Sequence, residues 1–144
     1  MNRPHDRAGS GESENETLDL AVRAEQAAEV IGIRAPGSTP RIGLVLGSGL
    51  GDLADRFESA VRIPYGELPG FPEPAVEGHS GILVLGTLAG VPAVAMRGRA
   101  HLYEGYPDRE ATLPIRVLAA LGIRALFRSN AAGAINPEYT PGEL

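Results

Sequence analysis

The chain has 144 residues, a length that fits one domain with a buried core. Its net charge of −5, with no long run of lysine or arginine, argues against a protein that binds nucleic acid. The sequence has no cysteine, which excludes disulfides, thiolate metal sites and a cysteine nucleophile. It also has no membrane-length apolar run and no apolar signal segment near its start, so we expect a cytoplasmic protein without a membrane partner.

The first third of the chain predicts a tail, a helix and a buried strand. Residues 1–16 are polar and aperiodic, and we predict a disordered tail there. The stretch TLDLAVRAEQAAEVIGI has apolar residues near helical spacing, with Thr17 as a cap and Gly32 as an end. The continuous apolar run RIGLVLG, residues 41–47, is typical of a strand buried on both faces, and SGLGDLADRF after it predicts a second helix.

The remainder alternates strands with a helix. The proline-rich stretch RIPYGELPGFPEPAVEGHSG predicts a long ordered loop, which is often functional. ILVLGTLAG and VPAVAMRGR predict a hairpin around Gly90. ATLPIRVLAALGI predicts a helix, and RALFRSNAAGA predicts a strand that ends in a turn. The alternation favours an α/β layered domain over residues 17–144.

The motif GSGLG, residues 47–51, lies between the buried strand and the second predicted helix. Small residues let backbone N–H groups converge on an anion, a helix N-terminus adds positive charge, and Ser48 offers a hydroxyl. Asp52 takes the place of the third glycine in the dinucleotide fingerprint, and no Gly-Lys-Ser/Thr follows, so the motif is neither that fingerprint nor a Walker A loop. A turn that serves packing alone is the alternative.

A polar cluster follows the hairpin in RGRAHLYEGYP. Arg99, His101 and Tyr103 alternate, so on an extended segment their side chains share one face. A guanidinium fork suits phosphate oxygens, an imidazole can donate to the same anion, and a phenol ring suits a sugar. Glu104, which comes next, could orient or charge-stabilise the imidazole. A solvated edge strand is the alternative, and the apolar AVAM before the cluster disfavours it.

Two further stretches carry weaker evidence. His79 lies between glycines inside the proline-rich loop, and a lone histidine is more often structural than functional. SNAAGA, residues 129–134, places tiny side chains after a strand, where α/β sheets bind ligands against the backbone. A tight turn is the alternative for that second stretch.

The stretches occur together in the order and at the approximate spacing of one family. They are GSGLG, YGELPGFP, GHSG, MRGRAHLYEGYP, LPIRVLAALGI and SNAAGAINP. From about Thr17 to its end, the chain resembles purine nucleoside phosphorylase of the trimeric class. The resemblance implies a three-layer, mixed-sheet α/β nucleoside phosphorylase fold. The family pattern continues beyond Leu144, so we expect that fold to be incomplete at its C-terminus.

The resemblance also implies a reaction. Such enzymes cleave the N-glycosidic bond of purine ribo- and deoxyribonucleosides with inorganic phosphate, giving the free base and (deoxy)ribose 1-phosphate in nucleoside salvage. They need no cofactor and no metal, because phosphate is the co-substrate. The implied partners are the purine nucleoside, phosphate and, for a full-length protein, two further copies of the chain in a homotrimer.

Site residues follow from the same resemblance. It implies phosphate contacts from four side chains and one backbone N–H, namely Ser48, His79, Arg99, His101 and the amide of Ala131. It implies that Tyr103 packs on the ribose and that Asn130 shapes the loop carrying Ala131. The resemblance also implies that Glu104 contacts His101 and not the phosphate. His101 and Glu104 are therefore the catalytic candidates.

Three residues depart from the family pattern. Arg97 replaces a residue that is often uncharged, Arg128 lies in a strand that is usually apolar, and Ala134 replaces a frequent glycine. A buried Arg128 would be costly, and Ala134 would be strained if its φ were positive.

Two other functions remain open beside the leading one. The base-binding residues of the family fall after Leu144, so we expect this chain alone to be weakly active or inactive. It would then be a non-catalytic phosphate-binding fragment or half of a split enzyme. The second alternative is 5′-methylthioadenosine phosphorylase, which GSGLG and GRAHLYEGYP favour less than the purine nucleoside branch.

Overall fold

The computed structural model describes residues 10–73 and 81–140, apart from the side chains of residues 10–18. Its described strands form one mixed sheet: β1 (Ile42–Leu46), β2 (Glu58–Pro64), β3 (Ile82–Leu88), β4 (Val91–Arg97) and β5 (Ala125–Arg128). The order across the sheet is β2-β3-β4-β1-β5. The described helices are α1 (Ser10–Arg34) and α2 (Asp108–Ala120), and neither is long and apolar enough to cross a bilayer.

Strand direction determines which ends of the sheet lie together. β3 and β4 form the predicted antiparallel hairpin, with Ala89 and Gly90 both at positive φ in the turn that joins them. β1 runs parallel to β4 on one side and to β5 on the other. The carboxyl ends of these three strands therefore lie at one edge of the sheet, where α/β proteins bind ligands.

The core has a layer on each face of the sheet, because successive strand residues point to opposite faces. Val45, Leu83, Leu85, Val94 and Met96 face the two helices, which contribute Ile31, Leu113 and Val117 among others. Leu46, Val84, Ala93 and Ala95 face the other way, against Ala54 and Phe57. Burial of each large apolar side chain contributes about 1.5–3 kcal/mol. The predicted mixed-sheet α/β fold is confirmed.

The boundaries of α1 differ from the prediction. The helix begins at Ser10 and not at Thr17, so residues 10–16, which we assigned to a disordered tail, are helical. That stretch contains three glutamates, a residue type with high helix propensity, and polarity alone does not exclude a helix. Residues 1–9, the rest of the predicted tail, lie outside the described residues.

Two other elements also differ. The helix that we predicted after GSGLG is a short 3-10 helix, Gly51–Arg56. The sequence ESAVRIP forms β2, which we did not predict, because β2 is an edge strand with only one buried residue, Ile63, and shows no clear alternation. The predictions of β1, the hairpin, α2 and β5 are confirmed.

Candidate functional site

Three segments of the chain meet at Ser129, just past the carboxyl end of β5. The Gly47 N–H donates to Ser129 Oγ at 2.9 Å, and that hydroxyl donates to the carbonyl oxygen of Val45 at 3.2 Å. Arg99 Nη1 donates to the Ser129 carbonyl oxygen at 2.9 Å. The loop after β1, the segment after β4 and the end of β5 are thus fixed against one another.

Gly47 allows the close approach of these segments. A Cβ atom at position 47 would lie 2.5 Å from the Ser129 carbonyl oxygen and 3.0 Å from Asn130 Cα. No side chain fits at such a distance, so the first glycine of GSGLG is required by packing between the ends of β1 and β5. The same contact brings Ser48 to the carboxyl edge of the sheet.

An open cleft of about 630 Å³ lies at this edge. Among the described residues it is lined by Arg99, Arg128, Ser129, Asn130 and Ala131. The lining has two arginines and no acidic side chain, so the cleft favours an anion. The structure therefore brings together three of the predicted site residues, Arg99, Asn130 and Ala131.

Arg128 corrects one of our expectations. We expected it inside an apolar strand, where a buried charge is costly, yet all four residues of β5 are exposed. β5 is an edge strand of the described sheet, and its arginine is free to reach water and the cleft.

Ala134 does not have a positive φ, so its replacement of a glycine introduces no strain.

The segment carrying His101 and Tyr103 is not extended as we predicted. β4 ends at Arg97, and residues 102–104 form a short 3-10 turn that starts after His101 and ends at Gly105 with φ of 90°. The two rings still lie together: their centroids are 4.9 Å apart and their planes differ by 10°. Tyr103 is 76% exposed, which leaves its outer face open to a ligand ring.

Glu104 supports His101 through a reciprocal capping box. The Glu104 Oε1 atom accepts from the His101 backbone N–H at 2.6 Å, and the His101 side chain accepts from the Glu104 backbone N–H. A ring nitrogen that accepts a bond carries no proton, so in the neutral imidazole the other nitrogen carries the N–H. His101 is thereby prepared as a hydrogen-bond donor, and Glu104 orients it through the backbone.

The loop that carries Ser48 is a tight turn. The Leu50 N–H donates to the Gly47 carbonyl oxygen at 3.1 Å, Gly49 has φ of 84°, and Ser48 is exposed. The 3-10 helix that follows has six residues and is too short for the helix-dipole contribution that we predicted. Any anion bound here is held by individual hydrogen bonds.

The predicted site residues therefore fall into two groups in the described structure. Arg99, Asn130 and Ala131 line the cleft, and Ser48 follows Gly47 at its edge. His101, Tyr103 and Glu104 form the adjoining turn and are not among the lining residues. His79 lies outside the described residues.

Sequence reasoning missed two residues that organise the site. Ser129 was noted only for its small size, although its place after a strand parallel to β1 could have indicated a bond to the GSGLG loop. Tyr65 lies in the stretch that we predicted as a long ordered loop, and its hydroxyl donates to the Gly98 carbonyl oxygen at 2.8 Å. Tyr65 is buried edge-on against Phe71, and burial raises its pKa.

Residues 41–144 match the Phosphorylase superfamily. The chain belongs to this superfamily. It is 53% identical over 122 residues to purine nucleoside phosphorylase 1 of Bacillus subtilis, a match that covers 85% of this chain and 45% of the relative. It is 45% identical over 105 residues to the purine nucleoside phosphorylase of Bos taurus, covering 73% of this chain and 36% of the relative. The resemblance to purine nucleoside phosphorylases is confirmed.

Solved phosphorylase structures share the fold of this superfamily member. A purine nucleoside phosphorylase in complex with ribose-1-phosphate superposes with a TM-score of 0.75 at 44% identity, covering 83% of this chain and 43% of that one. A Schistosoma mansoni purine nucleoside phosphorylase in complex with inosine gives a TM-score of 0.74 at 42% identity, covering 83% and 41%. The chain thus spans less than half the length of the relatives that it matches.

Proposed function

We propose that this chain carries the phosphate- and ribose-binding part of a purine nucleoside phosphorylase. One observation carries the proposal: at the carboxyl edge of the sheet, Ser129 joins the GSGLG loop to Arg99 beside a cleft whose described lining has two arginines and no acid. The relatives named as purine nucleoside phosphorylases and the complex with ribose-1-phosphate support it.

The proposed reaction places phosphate beneath the anomeric carbon of the nucleoside. A phosphate oxygen forms a bond to C1′ while the bond from C1′ to the purine nitrogen breaks, and the electron pair leaves with the purine, which then takes up a proton. The developing cation at C1′ is stabilised by the phosphate anion, so residues that hold phosphate in place lower the barrier.

We assign phosphate binding to Ser48, His79, Arg99, His101 and the backbone N–H of Ala131. Two contacts of the described structure support this: Arg99 donates to the Ser129 carbonyl oxygen, and Glu104 orients His101 through the capping box. Phosphate acts as co-substrate and no cofactor is required in this scheme.

The exposed ring of Tyr103 would pack on the ribose, and Asn130 would shape the loop that presents Ala131. The Asn130 side chain supports this loop role by donating to the Ala131 carbonyl oxygen at 3.3 Å. On the resemblance to the trimeric class, we further infer a homotrimer for the full-length protein and a cytoplasmic location.

Phosphate binding is the first test, because it needs only the part of the site that this chain contains. We expect calorimetry to detect phosphate binding by the wild-type chain and to show a loss of about tenfold or more in Arg99→Met, since a charge-assisted bond contributes about 1.5–3 kcal/mol. Arg124→Met is the matched control, because it removes an equal charge just before β5, at the opposite edge of the sheet. Equal weakening in both variants would contradict the proposal.

Turnover by the chain is the second test. Because the chain spans less than half of its relatives, a non-catalytic phosphate-binding role is the second candidate function. We expect little or no phosphate-dependent release of hypoxanthine from inosine, alongside measurable phosphate binding. Robust turnover by the purified chain would overturn the expectation of inactivity and support the enzyme directly.

A further inference from the structure

Arg97 stands at the end of an apolar strand and makes ion pairs with the segment that follows the GSGLG loop. Its Nη1 atom donates to Asp55 Oδ1 at 3.1 Å, and its Nη2 atom lies 3.6 Å from Asp52 Oδ1. The arginine side chain is 29% exposed, whereas those of Asp52 and Asp55 are 99% and 51% exposed. Arg97 is thus the more buried partner in both ion pairs.

Arg97 also lies against the loop itself. A Cβ atom at Gly51, the last residue of GSGLG, would be 3.5 Å from Arg97 Nε. The first residue of the motif, Gly47, is fixed by its bond to Ser129 Oγ. The loop bearing Ser48 is therefore held at one end by Ser129 and at the other by Arg97.

Arg97 is also close in sequence to Arg99, which lies on the other side of the proposed phosphate site. Gly98 and Arg99 follow it directly, and the Gly98 carbonyl oxygen accepts a bond from the buried Tyr65 hydroxyl at 2.8 Å. Arg99 in turn donates to Ser129. Movement of the segment 97–99 is restrained on both sides, so a group bonded to Arg97 keeps a fixed position relative to Arg99.

We propose that Arg97 is a positioning residue that holds the Ser48 loop against the sheet, so that Ser48 and Arg99 reach the same phosphate ion. The inference rests on the proposed function and deepens it. Arg97 would act through the loop and would not touch phosphate. Because its ion pairs are partly exposed, salt should screen its effect.

The experiment compares phosphate binding and loop dynamics in matched variants of the full chain. Arg97→Met removes the ion pairs, and Arg97→Lys keeps the charge. Arg62→Met is the control, because Arg62 pairs with the same Asp55 at 3.5 Å but lies in β2, whereas Arg97 directly precedes Gly98 and Arg99. Calorimetry with inorganic phosphate gives the affinity, and amide hydrogen exchange of residues 48–51 reports on the loop.

We expect Arg97→Met to weaken phosphate binding by about fivefold, as for the loss of two partly exposed ion pairs, and to speed amide exchange in the loop. Arg97→Lys should recover part of both, and Arg62→Met should leave both near wild type. A fall in affinity together with faster exchange confined to the loop distinguishes positioning from a general loss of stability.

Two results would overturn the inference, and they are distinguishable. If the wild-type chain binds no phosphate, the proposed function fails and this inference falls with it. If the wild type binds and Arg97→Met binds equally well, only the positioning role fails. Should Arg97→Met not fold, the double variant Asp52→Asn, Asp55→Asn removes both ion pairs of Arg97, together with the Arg62–Asp55 pair that Arg62→Met tests by itself, and unchanged affinity there would refute the role.

Discussion

Tyr65 shows how one buried side chain connects the loop after β2 to the proposed phosphate site. Its hydroxyl is the described partner of the Gly98 carbonyl oxygen, one residue before Arg99. Removing the hydroxyl leaves that carbonyl unsatisfied in a buried place. We expect Tyr65→Phe to lower the free energy of unfolding at neutral pH by about 1 kcal/mol.

The same residue predicts a dependence on pH. Burial raises the pKa of Tyr65, so the folded phenol keeps its proton while the unfolded phenol loses it near pH 10, in about the ordinary range. The stability contributed by the neutral phenol is therefore present below about pH 10. As the pH rises further, the free energy of unfolding falls by up to about 1.4 kcal/mol per pH unit. The Tyr65→Phe variant has no ionisable group at this position and does not lose stability in this way.

Urea unfolding of both proteins from neutral to alkaline pH measures the difference. We expect the wild type to be the more stable protein at neutral pH and its advantage to shrink above about pH 10. The other tyrosines are present in both proteins, so their contributions cancel in the comparison. A constant difference across the whole range would contradict the burial of an ionisable phenol at this position.

At the scale of elements, the structure distinguishes Gly47, which packing requires, from Gly32, which alanine can replace. We expect Gly47→Ala to destabilise the fold by about 1–3 kcal/mol, because its Cβ would lie 2.5 Å from the Ser129 carbonyl oxygen and push β1 away from β5. We expect Gly32→Ala to stabilise α1 by about 0.5–1 kcal/mol, because nothing lies within 4 Å of its Cβ and alanine is the better helix former.

Urea unfolding gives both values, and the opposite signs make the pair informative. Gly47→Ala should also weaken phosphate binding, because it disturbs the loop that carries Ser48. If Gly47→Ala were neutral in both measurements, the close contact between the ends of β1 and β5 would not exist in solution.

The elements that were predictable are those whose pattern is local. β1, the hairpin and α2 show continuous or periodic apolar residues, and their predictions are confirmed. β2 was not predicted, because it contacts the sheet along one edge only and Ile63 is its one buried residue. A helix was predicted after GSGLG, but its ion pairs to Arg97, made across the chain, do not show in a local pattern.

The grouping of three candidate residues was predictable, and the geometry of the segments that carry them was less so. Arg99, Asn130 and Ala131 do line one cleft, as residue types and order indicated. The alternation of Arg99, His101 and Tyr103 was read as extended, but the chain turns after His101 because Gly105 adopts a positive φ and closes a 3-10 turn. The junction at Ser129 depends on a strand pairing that no short motif encodes.

At the scale of the whole molecule, the described sheet has an apolar edge at β5. Phe127 is 61% exposed, and β5 pairs only with β1 among the described strands. Exposed apolar edge strands favour pairing with other chains. We therefore expect the purified chain to self-associate with rising concentration, and Phe127→Lys to reduce this.

Sedimentation velocity over a range of concentrations measures the association. Val22→Lys is the control, because Val22 is 47% exposed on α1, where helix formation already satisfies the backbone. Equal effects of the two lysines would point to general surface charge, and no effect of Phe127→Lys would contradict a role for the β5 edge.

The bonds at Ser129 also impose an order of assembly during synthesis. They join residues separated by 82 and 84 positions, whereas β3 and β4 pair across a two-residue turn. Closing such long loops costs entropy that only the contacts of the finished sheet offset. The hairpin can therefore form early, and the bonds at Ser129 must form late. A nascent chain that has not yet released Ser129 from the ribosome can form its hairpin, but it cannot yet form the proposed phosphate site.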